Sequence, residues 1–178
     1  MKMDFLDIKI LKLLQADSRM TVSQISGEIN LSIPAVSERL KKLEAGGIIQ
    51  KYTTIINPNF FHKELTAVMF ITLERPKFTE KFVEFVQDED EILECHYLAG
   101  DYDYALKIVT ENTATLEKLL NRIKSVQGVI KTRTIVVLST VKNNHSVVPS
   151  ENTRLLEGTE TKMRRSENDH RNPEGSKK

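Results

Sequence analysis

Between Ser32 and Lys51 the chain sets small, hydroxyl-bearing and basic side chains at helical intervals. Val36, Leu40 and Leu43 form one apolar face, and Ser37, Glu38, Lys41, Lys42 and Ala45 the opposite one, with Pro34 and Ala35 at its N-terminal end and Ser32 just before it. Small residues permit close approach to a double helix, hydroxyls can read base edges, and lysines can take phosphates. The mix therefore suits a helix whose N-terminal half enters the major groove of double-stranded DNA. A solvated amphipathic helix would carry the same charges, so the neighbouring elements must decide. Glu38 would repel phosphates unless it accepts from a cytosine amino group or pairs with Lys41 or Lys42 on its own helix; intrahelical pairing is the expectation. Lys51 is a further candidate phosphate contact, with a solvated lysine as the alternative.

A second group, Gly100-Asp101-Tyr102-Asp103-Tyr104, lies between two strand-like segments. A hairpin turn calls for glycine and aspartate, and so does a ligand loop; local residues alone leave both open. No constellation points to catalysis. His62 and His96 are far apart and near no Cys, Asp or Glu at metal-ligand spacing, while His145 and His170 fall at or beyond the end of the patterned region. There is no G-x-S-x-G turn and no glycine-rich phosphate loop, so no catalytic residue, metal site or cofactor is expected.

The elements that must hold these groups follow from periodicity and capping. Leu6, Ile10, Leu13 and Leu14 give a first helix from about Asp4 to Ala16. Thr21 and Gln24 have the form of a capping box ahead of Val22, Ile25 and Ile29, a short second helix. Ser32 can cap a third helix, whose first turn tolerates Pro34 and which stops at Gly46-Gly47. With Ile48 to Ile55 as a short β-wing, this predicts a winged helix-turn-helix over 1–56, in a context that favours DNA. Asn57-Pro58-Asn59 opens a hinge over 57–64. From 65 to 142 the rhythm changes: strands at Thr66–Leu73, Ile92–Leu98, Tyr104–Val109 and Val129–Val141, and helices at Phe78–Gln87 and Thr115–Val126. This is a β-α-β-β-α-β, ferredoxin-like order, and the fold class is α+β. Both helices should lie on one sheet face, yet Val68, Phe70 and Thr72 alternate with Met69, Ile71 and Leu73 and Ile135-Val136-Val137-Leu138 is apolar without alternation, so both faces are apolar and the free one calls for a second subunit to cover it. From 143 to 178 the composition turns polar and mixed in charge, as in a disordered tail.

Bulk properties narrow the setting. In 178 residues, 26 Lys and Arg face 25 Asp and Glu, so DNA affinity must come from a local patch. Asp4 and Asp7 interrupt any signal-peptide core, no run is long enough for a membrane span, and Cys95 is alone. A cytoplasmic protein with no membrane partner is expected.

Four pieces together resemble the Lrp/AsnC, or feast/famine, family of transcription regulators over Leu6 to about Val148. They are Leu6-Asp7 through Leu14-Gln15-Ala16-Asp17-Ser18-Arg19; Leu31-Ser32 through Val36-Ser37-Glu38-Arg39-Leu40-Lys41-Lys42-Leu43-Glu44 with Gly47-Ile48-Ile49; Gly100 to Tyr104; and Gly128-Val129 with Thr132-Arg133-Thr134. The resemblance implies a winged helix-turn-helix followed by an amino-acid-responsive domain, homodimers formed through the sheets, and octamers of four dimers. It also implies an amino-acid-like effector bound between dimers near the Gly100 to Tyr104 loop. A free amino acid needs clustered N–H donors for its carboxylate and a carboxylate for its ammonium. Gly100 would let the backbone approach, Asp101 or Asp103 would supply the charge, and Leu98, Tyr102 and Thr134 would bound the pocket. Sirohaem decarboxylases share the architecture and form the alternative; with His96 the sole histidine within the sensor strands, the regulator is the expectation. Regulators of this kind commonly end near Pro149, so the resemblance is silent on the tail.

Overall fold

The computed structural model describes residues 3–149. They fall into two compact units: residues up to Thr53 with those from His145 onward, and Thr54–Asn144.

In the first unit α1 (Phe5–Ala16), α2 (Val22–Ile29) and α3 (Ile33–Ala45) follow one another closely. Each begins where a side chain can satisfy orphan backbone N–H groups. Asp4 and Asp7 form a reciprocal capping box on α1, Thr21 and Gln24 do the same on α2, and Ser32 accepts from Ala35 N on α3. The turn after α2 is made by Asn30 in the left-handed region at φ 55°, a conformation asparagine tolerates. One apolar stripe from each helix meets in a core of Ile10, Ile25, Ile29, Val36 and Leu43. Full burial of each such side chain stabilises the unit by about 1.5–3 kcal/mol. The expected β-wing at 48–55 is not formed: among the described residues no strand lies there. Strand-prone residues make a ladder only where a second strand supplies hydrogen bonds, and α3 is followed by a single such segment.

In the second unit a 3-10 turn at Pro58–Phe61 leads into β1 (Leu65–Leu73), then α4 (Thr79–Gln87), β2 (Ile92–Tyr97), β3 (Tyr104–Thr110), α5 (Thr113–Ser125) and β4 (Val129–Val137). The sheet order is β2-β3-β1-β4, all antiparallel, as the β-α-β-β-α-β reading expects. Ala67, Met69 and Ile71 on β1 and Tyr104, Leu106 and Ile108 on β3 pack against Phe82, Leu116, Leu119 and Ile123 of the two helices. The linker is tied to this unit by Lys63, whose Nζ lies 2.7 Å from Glu91 Oε1, an atom that also accepts from the buried Thr110 hydroxyl at 2.7 Å. Burial pushes the Glu91 carboxyl up, but those bonds outweigh it and hold it below its ordinary value.

No element of this unit covers the other sheet face. Register places Thr66, Val68, Phe70 and Thr72 of β1 there, beside Val137, Ile135, Arg133 and Lys131 of β4 and Val109, Lys107 and Ala105 of β3. Apolar Val68, Phe70, Val109, Ile135 and Val137 thus share the face with charged Lys107, Lys131 and Arg133. At the β2 edge Lys107 Nζ and His96 Nε2 meet Glu94 at 2.8 and 3.2 Å.

β4 stops at Val137 rather than Val141. Its ladder partner β1 begins at Leu65, so the apolar residues that follow have nothing to pair with, and Leu138 and Val141 are almost fully exposed. Residues 143–149 form no helix or strand, yet Gln15 Nε2 of α1 donates to Ser146 Oγ at 3.1 Å and Val147 O at 2.7 Å. The rest of the expected tail, 150–178, lies outside the described residues.

Candidate functional site

Two groups of residues stand out, one in each unit. On α3, fully buried Val36 and Leu43 fix which side faces the core. Ser32, Pro34, Glu38, Lys41 and Lys42 are therefore exposed and Ala35 and Ser37 half-buried. The Ser32 hydroxyl is partly engaged, accepting from Ala35 N at 3.4 Å. Glu38 Oε1 lies 2.7 Å from Lys42 Nζ, so the carboxylate on the outward side of α3 is neutralised within its own helix. That bond from Lys42 holds the Glu38 carboxyl below its ordinary value. Lys41 has no carboxylate partner among the described residues and presents a free ammonium group. Lys51 is exposed in the coil beyond α3. The coil is held near the helix end by Tyr52, whose hydroxyl donates to Glu44 Oε1 at 2.9 Å. Burial, then this bond to Glu44, pushes the Tyr52 phenol up.

One residue of this unit has a partner that sequence reasoning did not find. Arg39 reaches α1, where its Nη1 lies 2.7 Å from Asp4 Oδ2 and 2.7 Å from Asp7 Oδ1. The signal was present as an arginine between the apolar positions 36 and 43, but nothing in the sequence names a partner 32 residues away.

The loop between β2 and β3 is built around Asp103. Its N–H donates to Ile71 O at 2.9 Å, its carbonyl accepts from Leu98 N at 2.7 Å, and its Oδ2 accepts from Leu73 N at 2.7 Å. Asp103 thus ties β1 to the loop, while Asp101 is exposed and carries no such bond. Gly100 is not in the left-handed region and has open space where a Cβ would stand, so its backbone is approachable from outside. Leu98 is half-buried. Tyr102 stacks on Phe70 with ring centroids 5.3 Å apart, and Lys131 Nζ sits 5.1 Å from the Tyr102 ring centre. Beside Lys131 in register, Thr72 has a buried hydroxyl with no hydrogen-bond partner. Thr134 is not brought to this group within one chain: it lies opposite Met69, on the helix-covered side of the sheet. Lys131 and Thr72, which sequence reasoning did not single out, stand closer.

Comparison with known proteins adds to this geometry. A family model described as winged helix-turn-helix DNA-binding matches residues 3–50, and one described as Lrp/AsnC ligand binding domain matches residues 66–147. The leucine-responsive regulatory protein of Klebsiella pneumoniae is 38% identical over 149 residues, covering 82% of this chain and 91% of its own. Among solved structures, a transcriptional regulator from Neisseria meningitidis in complex with L-methionine superposes with a TM-score of 0.77 at 30% identity, covering 82% of this chain and 96% of that one. LrpC of Bacillus subtilis does so with a TM-score of 0.74 at 30% identity, covering 81% of this chain and 100% of its own. These relatives are regulators, not decarboxylases.

Proposed function

Because the chain belongs to the Lrp/AsnC family of DNA-binding transcription regulators with a ligand-binding domain, we propose that it reads duplex DNA in the cytoplasm through the outward face of α3. The observation that carries this reading is the composition of that face once the core is fixed. The half-buried Ser37 suits a base edge, the exposed Lys41 suits a phosphate, and Glu38 is neutralised by Lys42. The chain acts as a homodimer joined through the open sheet face, each dimer reading two half-sites about 34–36 Å apart or a multiple of that, and dimers assemble to octamers. That face sets Val68, Phe70, Val109, Ile135 and Val137 among charged Lys107, Lys131 and Arg133, a mix of apolar contact area and ion-pairing groups that suits a subunit interface.

The proposed effector is an amino acid or related metabolite held at the Leu98 to Asp103 loop. Lys131 suits its carboxylate, and the exposed Asp101 suits its ammonium, since Asp103 already serves the backbone. Leu98 and Tyr102 offer an apolar wall. The bound L-methionine of the Neisseria relative and the leucine response that names the Klebsiella protein favour an apolar side chain. A ligand that fits one assembly better than another shifts the balance between them, and DNA affinity follows by linkage.

The DNA reading is tested by fluorescence anisotropy with a duplex selected from a randomised pool. Lys41→Ala should weaken binding to every duplex and reduce the slope of log affinity against log salt by about 1. Lys42→Ala should also weaken binding to every duplex, because it leaves the Glu38 carboxylate without its partner beside the phosphates. Ser37→Ala should shift sequence preference more than overall affinity. If all three variants bind as the wild type does, α3 is not the reading helix.

A further inference from the structure

On α3 the residue between the two fully buried anchors, Val36 and Leu43, is a cation. Arg39 follows Val36 by three residues and precedes Leu43 by four, so it points to the core side of the helix. There it meets two carboxylates whose own positions are set by backbone hydrogen bonds. Asp4 Oδ1 accepts from Asp7 N at 2.9 Å, and Asp7 Oδ2 accepts from Asp4 N at 2.9 Å. Their remaining oxygens, Asp4 Oδ2 and Asp7 Oδ1, each lie 2.7 Å from Arg39 Nη1. The Asp7 side chain is only 9% exposed and that of Arg39 27%, so this pair is much less screened than a surface ion pair.

Val36, Leu43 and the partly buried Leu40 hold α3 by apolar contacts alone, which are non-directional and let the helix turn slightly without losing burial; even the angles at which packed helices cross scatter by about 15–20°. At the helix surface, roughly 5–6 Å from the axis, a 15° turn moves a side chain by about 1.5 Å. Base readout requires placement within about 0.5 Å. The core alone is therefore too permissive, and a third, directional tether is needed. Ser37 and Lys41 lie two residues to either side of Arg39, which at about 100° per residue puts both on the far side of the helix. Fixing Arg39 against α1 fixes them.

We propose that Arg39 is a positioning residue for DNA recognition: through Asp4 and Asp7 it sets the rotation of α3 on α1, so that Ser37 and Lys41 meet base edge and phosphate in a single register. The inference rests on the reading of α3 as the DNA-binding helix. It differs from a purely stabilising role in what it requires of discrimination, because a variant that is merely less stable but still folded reads DNA as well as the wild type.

The test uses the full chain, the duplex selected from a randomised pool, and a scrambled duplex of equal length, well below the unfolding midpoint. In Arg39→Gln, which keeps hydrogen-bonding capacity but removes the charge, the ratio of affinities for the two duplexes should fall by about tenfold or more. Affinity for the scrambled duplex and its salt dependence should stay within about twofold, since the attraction of the flexible Lys41 side chain to a phosphate tolerates a small turn of the helix that a base-edge hydrogen bond does not. Arg39→Lys, able to reach the carboxylates as a point charge but not as a planar fork, should lose an intermediate share. Should Arg39→Gln fail to fold, Arg39→Lys and Asp4→Asn, each checked by circular dichroism, carry the same comparison. Folded variants that discriminate as the wild type does would overturn the proposal. So would an equal loss on both duplexes with a shallower salt slope, which would make Arg39 a direct phosphate contact. A wild type that binds no duplex would instead overturn the DNA reading itself.

Discussion

Ile135→Glu should leave the protomer folded but largely monomeric, and should lower affinity for a duplex with two half-sites by about a hundredfold or more. Ile135 lies on the open sheet face beside Val68 and is 45% exposed in the single chain, so glutamate there is hydrated and costs the protomer little. In a face-to-face dimer the same position is buried together with its apolar neighbour Val68. Two-fold symmetry places the change in both subunits, and each desolvated carboxylate without a partner costs several kcal/mol. The DNA effect follows from arithmetic rather than from any contact near α3. Two linked reading helices gain an effective concentration that single ones lack, typically a factor of about 10² to 10⁴. Sedimentation and anisotropy on the same sample check both halves. A variant that stays dimeric and binds DNA normally would place the dimer contact elsewhere.

Gly128→Ala should destabilise the sensor unit by about 2–5 kcal/mol, combining the strain of a left-handed backbone on a residue with a Cβ and the cost of overpacking. Gly128 sits at φ 96° just before β4, and a Cβ there would overlap the Phe78 side chain. Its carbonyl also accepts from Glu74 N at 2.7 Å, so moving the backbone to relieve the overlap breaks the bond that joins the end of β1 to the start of β4. A melting temperature lower by about 10 °C or more is expected for a unit of this size. A change of less than about 2 °C would mean that Phe78 yields freely.

What was legible in advance was what local chemistry decides. The Thr21 and Gln24 capping box and the Ser32 cap place the starts of α2 and α3, and alternation on β1 separates Met69, Ile71 and Leu73 from Val68, Phe70 and Thr72, though not which set faces the helices. What was not legible depends on partners distant in sequence. Ile48 to Ile55 has the composition of a strand, but composition does not supply a second strand. Val137 ends β4 because Thr66 is near the start of its neighbour, a fact about β1 rather than β4. The Arg39 tether joins residues 32 apart. In the loop, glycine and aspartate are equally suited to a turn and to a ligand. The geometry divides the two aspartates, giving Asp103 to the backbone and leaving Asp101 exposed.

The most direct measurement is the affinity of the full chain for its selected duplex in the presence of each proteinogenic amino acid in turn, repeated with Asp101→Ala. At least one amino acid should change DNA affinity by about 5–150-fold, the range expected for coupling of about 1–3 kcal/mol between sites. Asp101→Ala should lose that response while its amino-acid-free DNA affinity stays at the wild-type level. If no amino acid alters DNA binding, or if Asp101→Ala responds as the wild type does, the effector site proposed at the Leu98 to Asp103 loop is contradicted.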